Sequence, residues 1–329
     1  MAVIIKDFKI EKYIPGDRRI FPFIKRYGTH LFQIDPSFSK INTEERMISL
    51  IIGSCSDNIY FSVDDNEITG IIAFRRREWD TVHFGYPVAS IDHFYVSDGE
   101  LGLKASVALL DFFLEWSLKN KIRFVSIKTY PKTEISQSLS RRGFYCVGSE
   151  LILTREIDSF NIMVEGEGEN IRPFKEDDMD FLISMTEETT FPNRFHHDFR
   201  INEKKASDLY VQWLKNGSHK KSKKITVVEY QNKPAGYILW SVENIFSKRG
   251  LLTIGDQELV VIEKKLRGKG LSKKLYAGTL SAMKKEGVDL VKTTISSVNM
   301  AALNSQARLG FNFNYVYISW HAFLADNHI

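Results

Sequence analysis

The segment Arg267-Gly268-Lys269-Gly270-Leu271-Ser272-Lys273 sets two glycines among basic residues, directly before an amphipathic stretch that ends near Gly287. It follows the apolar run Leu259-Val260-Val261-Ile262, so the spacing predicts a strand, a glycine-rich turn and a helix N-terminus. In such a turn glycine lets the backbone approach an anion, and the first helix amides, which lack intrahelical acceptors, point at it. The chemistry expected there is binding of a phosphorylated ligand. Two familiar phosphate loops are excluded by spacing. Glu263 stands where the nucleotide-triphosphatase loop needs glycine, and Lys273 stands where the dinucleotide fingerprint needs its third glycine.

Titratable groups lie on either side of this segment. Asp256 and Glu258 fall on or just before the apolar strand, where a carboxylate in a closing cleft has its pKa raised and can act as a base. The plainer reading of Glu258 is a solvated strand end. If residues 194–198 are extended, Arg194, His196 and Asp198 point to one side as donor, switchable imidazole and acceptor, a set suited to a polyhydroxylated, phosphorylated ligand. The alternative is that Asp198 caps a turn and that Phe195, Phe199, Tyr210 and Trp213 are core aromatics. The basic run His219-Lys220-Lys221-Ser222-Lys223-Lys224 reads as a solvated loop before a strand, with a patch for a polyanionic substrate as the other option.

The elements that must position these groups form a mixed α/β pattern. At 329 residues the chain is long enough for about two domains, and 43% hydrophobic content supplies ordinary cores. In the C-terminal half, helices are expected over 176–188 and 204–215, hairpin strands over 225–230 and 235–241, and a strand over 251–262. The loop and its helix follow, then a strand over 289–295, a short helix from Asn299 and a strand over 311–320. Leu271, Leu275, Gly278, Ala282 and Met283 recur at helical spacing, with the small Gly278 permitting close packing.

The N-terminal half repeats this order. A hairpin about Asp64-Asp65-Asn66 precedes a strand over 88–96, a helix carrying Val107, Leu110, Leu114 and Leu118, a strand over 124–129 and a strand over 145–153. Gly102 and Gly143 are spaced nearly as Gly270 and Gly310 are, so the chain reads as two copies of one fold. The expected domains are 1–157, an acidic, glycine-containing linker at 158–170, and 171–329. In the first copy Glu100 and Leu101 stand near the place of the basic loop, and a carboxylate there repels a pyrophosphate. The first copy is therefore expected to wall the substrate cleft without binding the phosphorylated ligand. An independent domain with an unrelated ligand is the alternative.

The segment Asn299-Met300-Ala301-Ala302-Leu303-Asn304-Ser305-Gln306-Ala307-Arg308-Leu309-Gly310-Phe311 completes a recognisable pair. With Arg267, Gly270 and Ser272 matching an Arg/Gln-x-x-Gly-x-Gly/Ala loop, and Asn299, Ala302, Gly310 and Phe311 matching an Asn-x-x-Ala...Gly-Phe helix, the chain resembles the GNAT superfamily of N-acetyltransferases. The resemblance implies a tandem GNAT-like fold using acetyl-CoA as co-substrate. It puts the pantetheine arm along Leu259, Val260, Val261 and Ile262 and the pyrophosphate on the amides of Arg267 to Lys273, with Asn299 orienting the arm. It also implies direct attack by an amine in a ternary complex, with Glu258 or Asp256 as base, His196 being a comparable candidate. The family's usual acid, a tyrosine seven residues after the helix asparagine, is Gln306 here. Tyr315 or Tyr317, two residues apart on one strand face, takes the role, or the thiolate leaves unassisted, or the protein is not a catalyst.

Phe191 to Phe199, Leu209 to Asn216 and Glu78 to Gly85 are similar to stretches of the TDP-fucosamine N-acetyltransferases. That likeness implies a nucleotide-linked amino sugar as the small-molecule acceptor, with Arg194, His196 and Asp198 binding it. Another amine or peptide acceptor, or a non-catalytic acyl-CoA-binding module, are the alternatives, and a homodimer is left open. Composition adds exclusions. A net charge of +4, from 45 basic and 41 acidic residues, gives no signal for nucleic acid. Cys55 and Cys146 lie far apart and the eight histidines form no ligand pattern, so neither disulfides nor a metal are expected, and both cysteines read as reduced core residues. Scattered charges over Met1 to Asp17 support no signal or membrane span, and the expected location is cytoplasmic.

Overall fold

The structure is a computed structural model that describes residues 2–5, 8–28, 58–157, 169–247 and 250–324. Cys55 and most of the expected linker lie outside the described residues. In chain order the elements begin with β1 (Ala2–Ile5), β2 (Phe8–Lys12), α1 (Ile20–Tyr27), β3 (Ile59–Asp64) and β4 (Glu67–Arg76). Asp65 and Asn66 reverse the chain between β3 and β4 with φ of +42° and +67°, as their short polar side chains allow. Next come α2 (Glu78–Phe84), β5 (Val88–Val96), α3 (Gly99–Lys119), β6 (Phe124–Thr129), α4 (Thr133–Arg141) and β7 (Tyr145–Glu156). The order then recurs as β8 (Glu169–Pro173), α5 (Met179–Glu187), α6 (Glu203–Ser218), β9 (Lys223–Tyr230), β10 (Lys233–Ser247) and β11 (Gly250–Ile262). It finishes with α7 (Leu271–Lys285), β12 (Leu290–Ser296), α8 (Met300–Arg308) and β13 (Asn312–Phe323).

These elements form two compact units, Met1–Ser149 with Val316–Ile329, and Glu150–Tyr315. The last strand of each sequence half is thus divided between the units. In the first unit the strands run β1-β2-β3-β4-β5-β6, followed by residues 318–323 of β13, and only β5 and β6 are parallel. In the second they run β8-β9-β10-β11-β12, followed by residues 150–156 of β7, and only β11 and β12 are parallel.

Each sheet is covered on both faces. In the first unit Ala105, Leu109 and Phe113 of α3 bury against Ile72, Phe74, Ile91 and Val125, while Ile20, Phe23 and Ile24 of α1 cover Ile59, Phe61 and Ile71 on the other side. In the second, Leu271, Leu275 and Met283 of α7 pack with Leu303 of α8 on Ile238, Trp240 and Val291. Leu182 and Met185 of α5 and Leu214 of α6 cover Val227, Tyr237, Leu259 and Val261 on the opposite face.

Two sequence expectations change. Lys223 and Lys224 are not loop residues but open β9, because their strand pairs as far as Ser241 and Trp240 of β10. Cys146 is exposed rather than core, since alternation along β7 turns it outward next to the buried Val147. Among the described residues no helix is long and apolar enough to cross a membrane.

Gly278 does bring α7 close to β8. A Cβ there would lie 2.4 Å from Ile171 Cγ2, a branched side chain with little room to yield. Gly278→Ala is expected to cost about 1–3 kcal/mol in denaturant unfolding, and less when introduced into an Ile171→Ala background, where the clashing side chain is gone. An unaltered midpoint for the single variant would show the helix sliding away at no cost.

Candidate functional site

Strand β11 carries the site because its two neighbours treat it differently. Along β10 the antiparallel ladder continues to Gly236 beside Ile262. Along β12 the parallel ladder runs only from Ile254 beside Leu290 to Gln257 beside Thr293, although β12 itself continues, paired with β7, to Ser296. Beyond Gln257 the strands part, and one backbone edge of residues 258–262 has no strand partner among the described residues. Apart from Ile262 O, which accepts from Arg267 Nε, those amides and carbonyls must be met by water or a ligand.

A bulge marks the same point. Leu239 pairs Leu259 and Trp240 pairs Gln257, so Glu258 is the extra residue and the alternation of faces changes phase across it. Leu259 and Val261 face α5 and α6. Gln257, despite its odd number, faces α8, where its Oε1 accepts from Gln306 Nε2 at 2.9 Å.

After Ile262 a 3-10 turn (Lys264–Leu266) leads into the glycine loop. Gly268 and Gly270 both have φ of +81°, a conformation that glycine adopts without strain, and Gly270 is the N-cap of α7. A Cβ on either would meet nothing within 4 Å, so the loop encloses open space rather than packed atoms. The amides of Lys273 and Lys274 turn back to Gly270 O at 3.1 and 3.4 Å, while those of Leu271 and Ser272 open the helix without an intrahelical acceptor. Arg267 braces the loop: its Nε donates to Ile262 O and its guanidinium to Thr189 Oγ1, both at 3.2 Å. Asn299 caps α8, its side chain accepting from Ala302 N at 3.2 Å.

The other face of β11 gathers charge. Glu258 Oε2 accepts from Trp213 Nε1 at 3.0 Å and is ion-paired with Lys223. Asp256 pairs with Lys292 at 2.8 Å. Burial pushes the Asp256 pKa up against the pull of Lys292, and Glu258 adds to the rise. Burial alone lowers Lys292, but Asp256 and the nearby Tyr315 outweigh it and hold the ammonium charged. Tyr315 therefore belongs to this cluster, whereas Tyr317 belongs to the first unit.

The segment 194–198 is a turn, not a strand. Asn193 winds it, with Oδ1 accepting from the amides of Phe195 (2.8 Å) and His196 (3.2 Å) and O accepting from His197 N (3.0 Å). Arg194, His196 and Asp198 consequently do not share a face. Asp198 is buried and accepts from Arg200 N at 3.1 Å, the turn-capping alternative. His196 engages Asn193 (2.8 Å) through Nδ1 and Ser207 (3.1 Å) through Nε2, and burial lowers its pKa. Arg194 pairs with Glu150 at 3.8 Å and lies over Phe195. The dipeptide Pro192-Asn193 was the available turn signal. Sequence reasoning missed Lys292, Trp213 and Gln257 as site residues and read Lys223 only as part of a basic run, and nothing local to any of them announces its partner.

Residues 184–311 match the model of the acetyltransferase (GNAT) family. The fold is that of the GNAT acetyltransferases. A GCN5-related N-acetyltransferase from Sphaerobacter thermophilus matches over 98% of this chain and 97% of its own, with TM-score 0.65 and 15% identity. A tandem GNAT protein from the clavulanic acid biosynthesis pathway matches over 82% of this chain and 83% of its own, with TM-score 0.53 and 15% identity. A GCN5-related glucosamine N-acetyltransferase region in a fungal multi-domain beta-N-acetylglucosaminidase covers 95% of this chain and 38% of that one, with TM-score 0.58 and 14% identity. No curated protein matches the sequence.

The two GNAT-like units differ at the loop. In the first, the bulge recurs at Asp92, and the parallel ladder again ends one residue earlier, at Ile91 beside Ile127. Only Ser97 and Asp98 then separate β5 from α3, where the second unit inserts residues 263–270. The left-handed counterpart of Gly270 is Gly99 (φ +71°), not Gly102, which lies inside α3 against Ser97 O. The Gly99 amide is already occupied by Glu134 Oε1 at 2.7 Å. A carboxylate of the chain itself sits where an anion would dock.

Calorimetry with acetyl-CoA is therefore expected to give one site per chain, lost in a folded Gly270→Glu variant and not doubled by Glu134→Ala. Two molecules bound by the wild type would contradict this assignment. A pH effect follows from His196. Its folded pKa lies below the ordinary 6.5, so the unfolded chain takes up the proton first, and stability falls as pH drops below about that value. Thermal melts between pH 7 and 5 should show a shallower loss in His196→Gln.

Proposed function

We propose that the second unit is an acetyl-CoA-dependent N-acetyltransferase acting on a primary amine. The observation that carries this reading is the unpaired edge of residues 258–262 running into a loop of exposed amides at a helix N-terminus. An extended arm ending in a pyrophosphate matches that sequence of groups. When bound, acetyl-CoA supplies an acyl thioester. The amides of Arg267 to Lys273 would take its pyrophosphate, the edge from Leu259 to Ile262 its arm, and Asn299 would border the arm from α8.

On the other face Glu258 accepts the proton of the attacking amine, with Lys223 offsetting its charge and Trp213 fixing its orientation. Tyr315 protonates the departing sulfur. Of the acceptor-side trio Arg194 is retained for substrate contact, because its side chain is partly exposed while Asp198 is enclosed. An amino sugar is the acceptor to test first. The TDP-fucosamine resemblance favours a nucleotide-linked one, and the fungal glucosamine N-acetyltransferase region with this fold favours the same functional group.

A second reading, an acyl-CoA-binding module without turnover, is favoured by Gln306. Its amide has no acidic proton and is buried against Gln257.

Thiol release from acetyl-CoA, followed with nucleotide-linked amino sugars, glucosamine and simple polyamines, separates the readings. Release with an amino sugar supports the first, and tight binding without release across the panel supports the second. Glu258→Gln and Tyr315→Phe should each lower kcat by about 10² or more with acetyl-CoA affinity retained, whereas Tyr317→Phe should leave both intact. Wild-type turnover by Tyr315→Phe would remove that hydroxyl as the acid.

A further inference from the structure

The two units form an internal comparison that isolates one difference. The residue before the bulge and its parallel neighbour are Ile91 and Ile127 in the first unit, Gln257 and Thr293 in the second. The following helix closes alike in both. Phe144 N returns to Leu139 O at 3.0 Å, and Phe311 N returns to Gln306 O at 3.1 Å, so Leu139 and Gln306 are counterparts. One unit fills the three positions with buried Ile91, Ile127 and Leu139. The other fills them with Gln257, Thr293 and Gln306, at 2%, 3% and 0% exposure. The same bulge and the same end of the ladder arise from apolar side chains, so the fold does not require the polar set.

The polar set is wired together. Gln306 Nε2 donates to Gln257 Oε1 at 2.9 Å, and Thr293 Oγ1 donates to Gln257 O at 3.2 Å. Gln257 Nε2 and Gln306 Oε1 have no partner among the described residues. Orphaned amide groups in a core oppose stability, which makes retention of this network in the loop-bearing unit a matter of something other than folding. What the network does is grip Gln257 by both its side chain and its carbonyl, at the last residue before β11 leaves β12.

We propose that the Gln257–Gln306 pair is a positioning element of the acyl-transfer site. It anchors β11 to α8 and through that anchor fixes the backbone of residues 258–262 and the Glu258 carboxylate. Apolar contacts such as Ile91 on Leu139 are non-directional and tolerate small rotations of a strand. An amide-to-amide hydrogen bond sets distance and direction together. The unpaired segment of β11, held by β10 alone on one edge, is where such a constraint matters. The proposal rests on the acyl-transfer reading for its purpose, but the anchor itself is a property of the unliganded protein.

The test gives the second unit the residues of the first, as the double variant Gln257→Ile with Gln306→Leu. The unliganded double variant is expected to melt at the wild-type temperature or above, while amide hydrogen exchange at 258–262 quickens by about tenfold, with the rest of the unit unchanged. In turnover, kcat should fall by between about 10- and 10²-fold, and acetyl-CoA affinity by calorimetry should weaken less than that, because the loop amides that take the pyrophosphate are untouched. Gln257→Glu, which keeps an acceptor for Gln306 Nε2, should retain most of the protection at 258–262. Unchanged exchange there in the folded double variant overturns the proposal, because the pair then only fills space. Exchange quickened throughout the unit with a lower melting temperature overturns it too, because the pair is then a general core contact. Failure of the wild type to bind acetyl-CoA would instead refute the proposed function, and the exchange comparison would still decide whether the anchor exists.

Discussion

The parting of β11 from β12 after Gln257 and Thr293 is the constraint on which the second unit is organised. A central strand that loses one neighbour midway leaves a row of polar backbone groups that must find other partners. The bulge at Glu258 sits at that point and changes the phase of side-chain alternation. It sends Gln257 toward α8, keeps Leu259 and Val261 in the core beneath α5 and α6, and turns Glu258 toward Trp213 and Lys223. One extra residue therefore separates the buried Gln257 from a charged face.

The first unit shows which parts of this arrangement are inseparable from the fold. It keeps the bulge, at Asp92, and the early end of the parallel ladder, and Asp92 is likewise held by basic neighbours, Arg75 and Arg77. It lacks the stretch between strand and helix that carries the exposed amides, and it satisfies the Gly99 amide with Glu134. The splay and the bulge are thus common to both copies, while the anion-facing loop and the polar core belong to one. The energetic consequence has a sign: filling Ile91, Ile127 and Leu139 stabilises by burial alone, whereas orphaned amide groups cost about 1–3 kcal/mol each.

On the charged face of β11 the carboxylates are not bare. Glu258 and Asp256 each hold a lysine, and those lysines come from β9 and β12, on either side of β10 and β11. Trp213 reaches in from α6, and the stacked pair Phe191 and Tyr210 continues the aromatic surface toward His196. His196 borders that surface, with both ring nitrogens bonded and its pKa lowered by burial.

The sequence by itself determined what depends on local backbone preference. Gly268 and Gly270 specify left-handed residues before a helix, Asn299 specifies a cap, Asp65-Asn66 specifies a hairpin, and the recurrence of strand, helix and closing glycine gives the doubled α/β fold. Each of these is decided within a few residues, by steric freedom or by a side chain reaching its own backbone. Turn chemistry at Asn193 was equally local, yet the expectation of an extended segment from Arg194 to Asp198 overlooked it. Tertiary structure alone decided that Lys223 meets Glu258, that Lys292 meets Asp256, that Gln257 meets Gln306, and that Tyr315 and Tyr317 fall in different units. Those outcomes follow from strand order and from a one-residue bulge, which join positions tens of residues apart, and no periodicity within either partner encodes the register that brings them together.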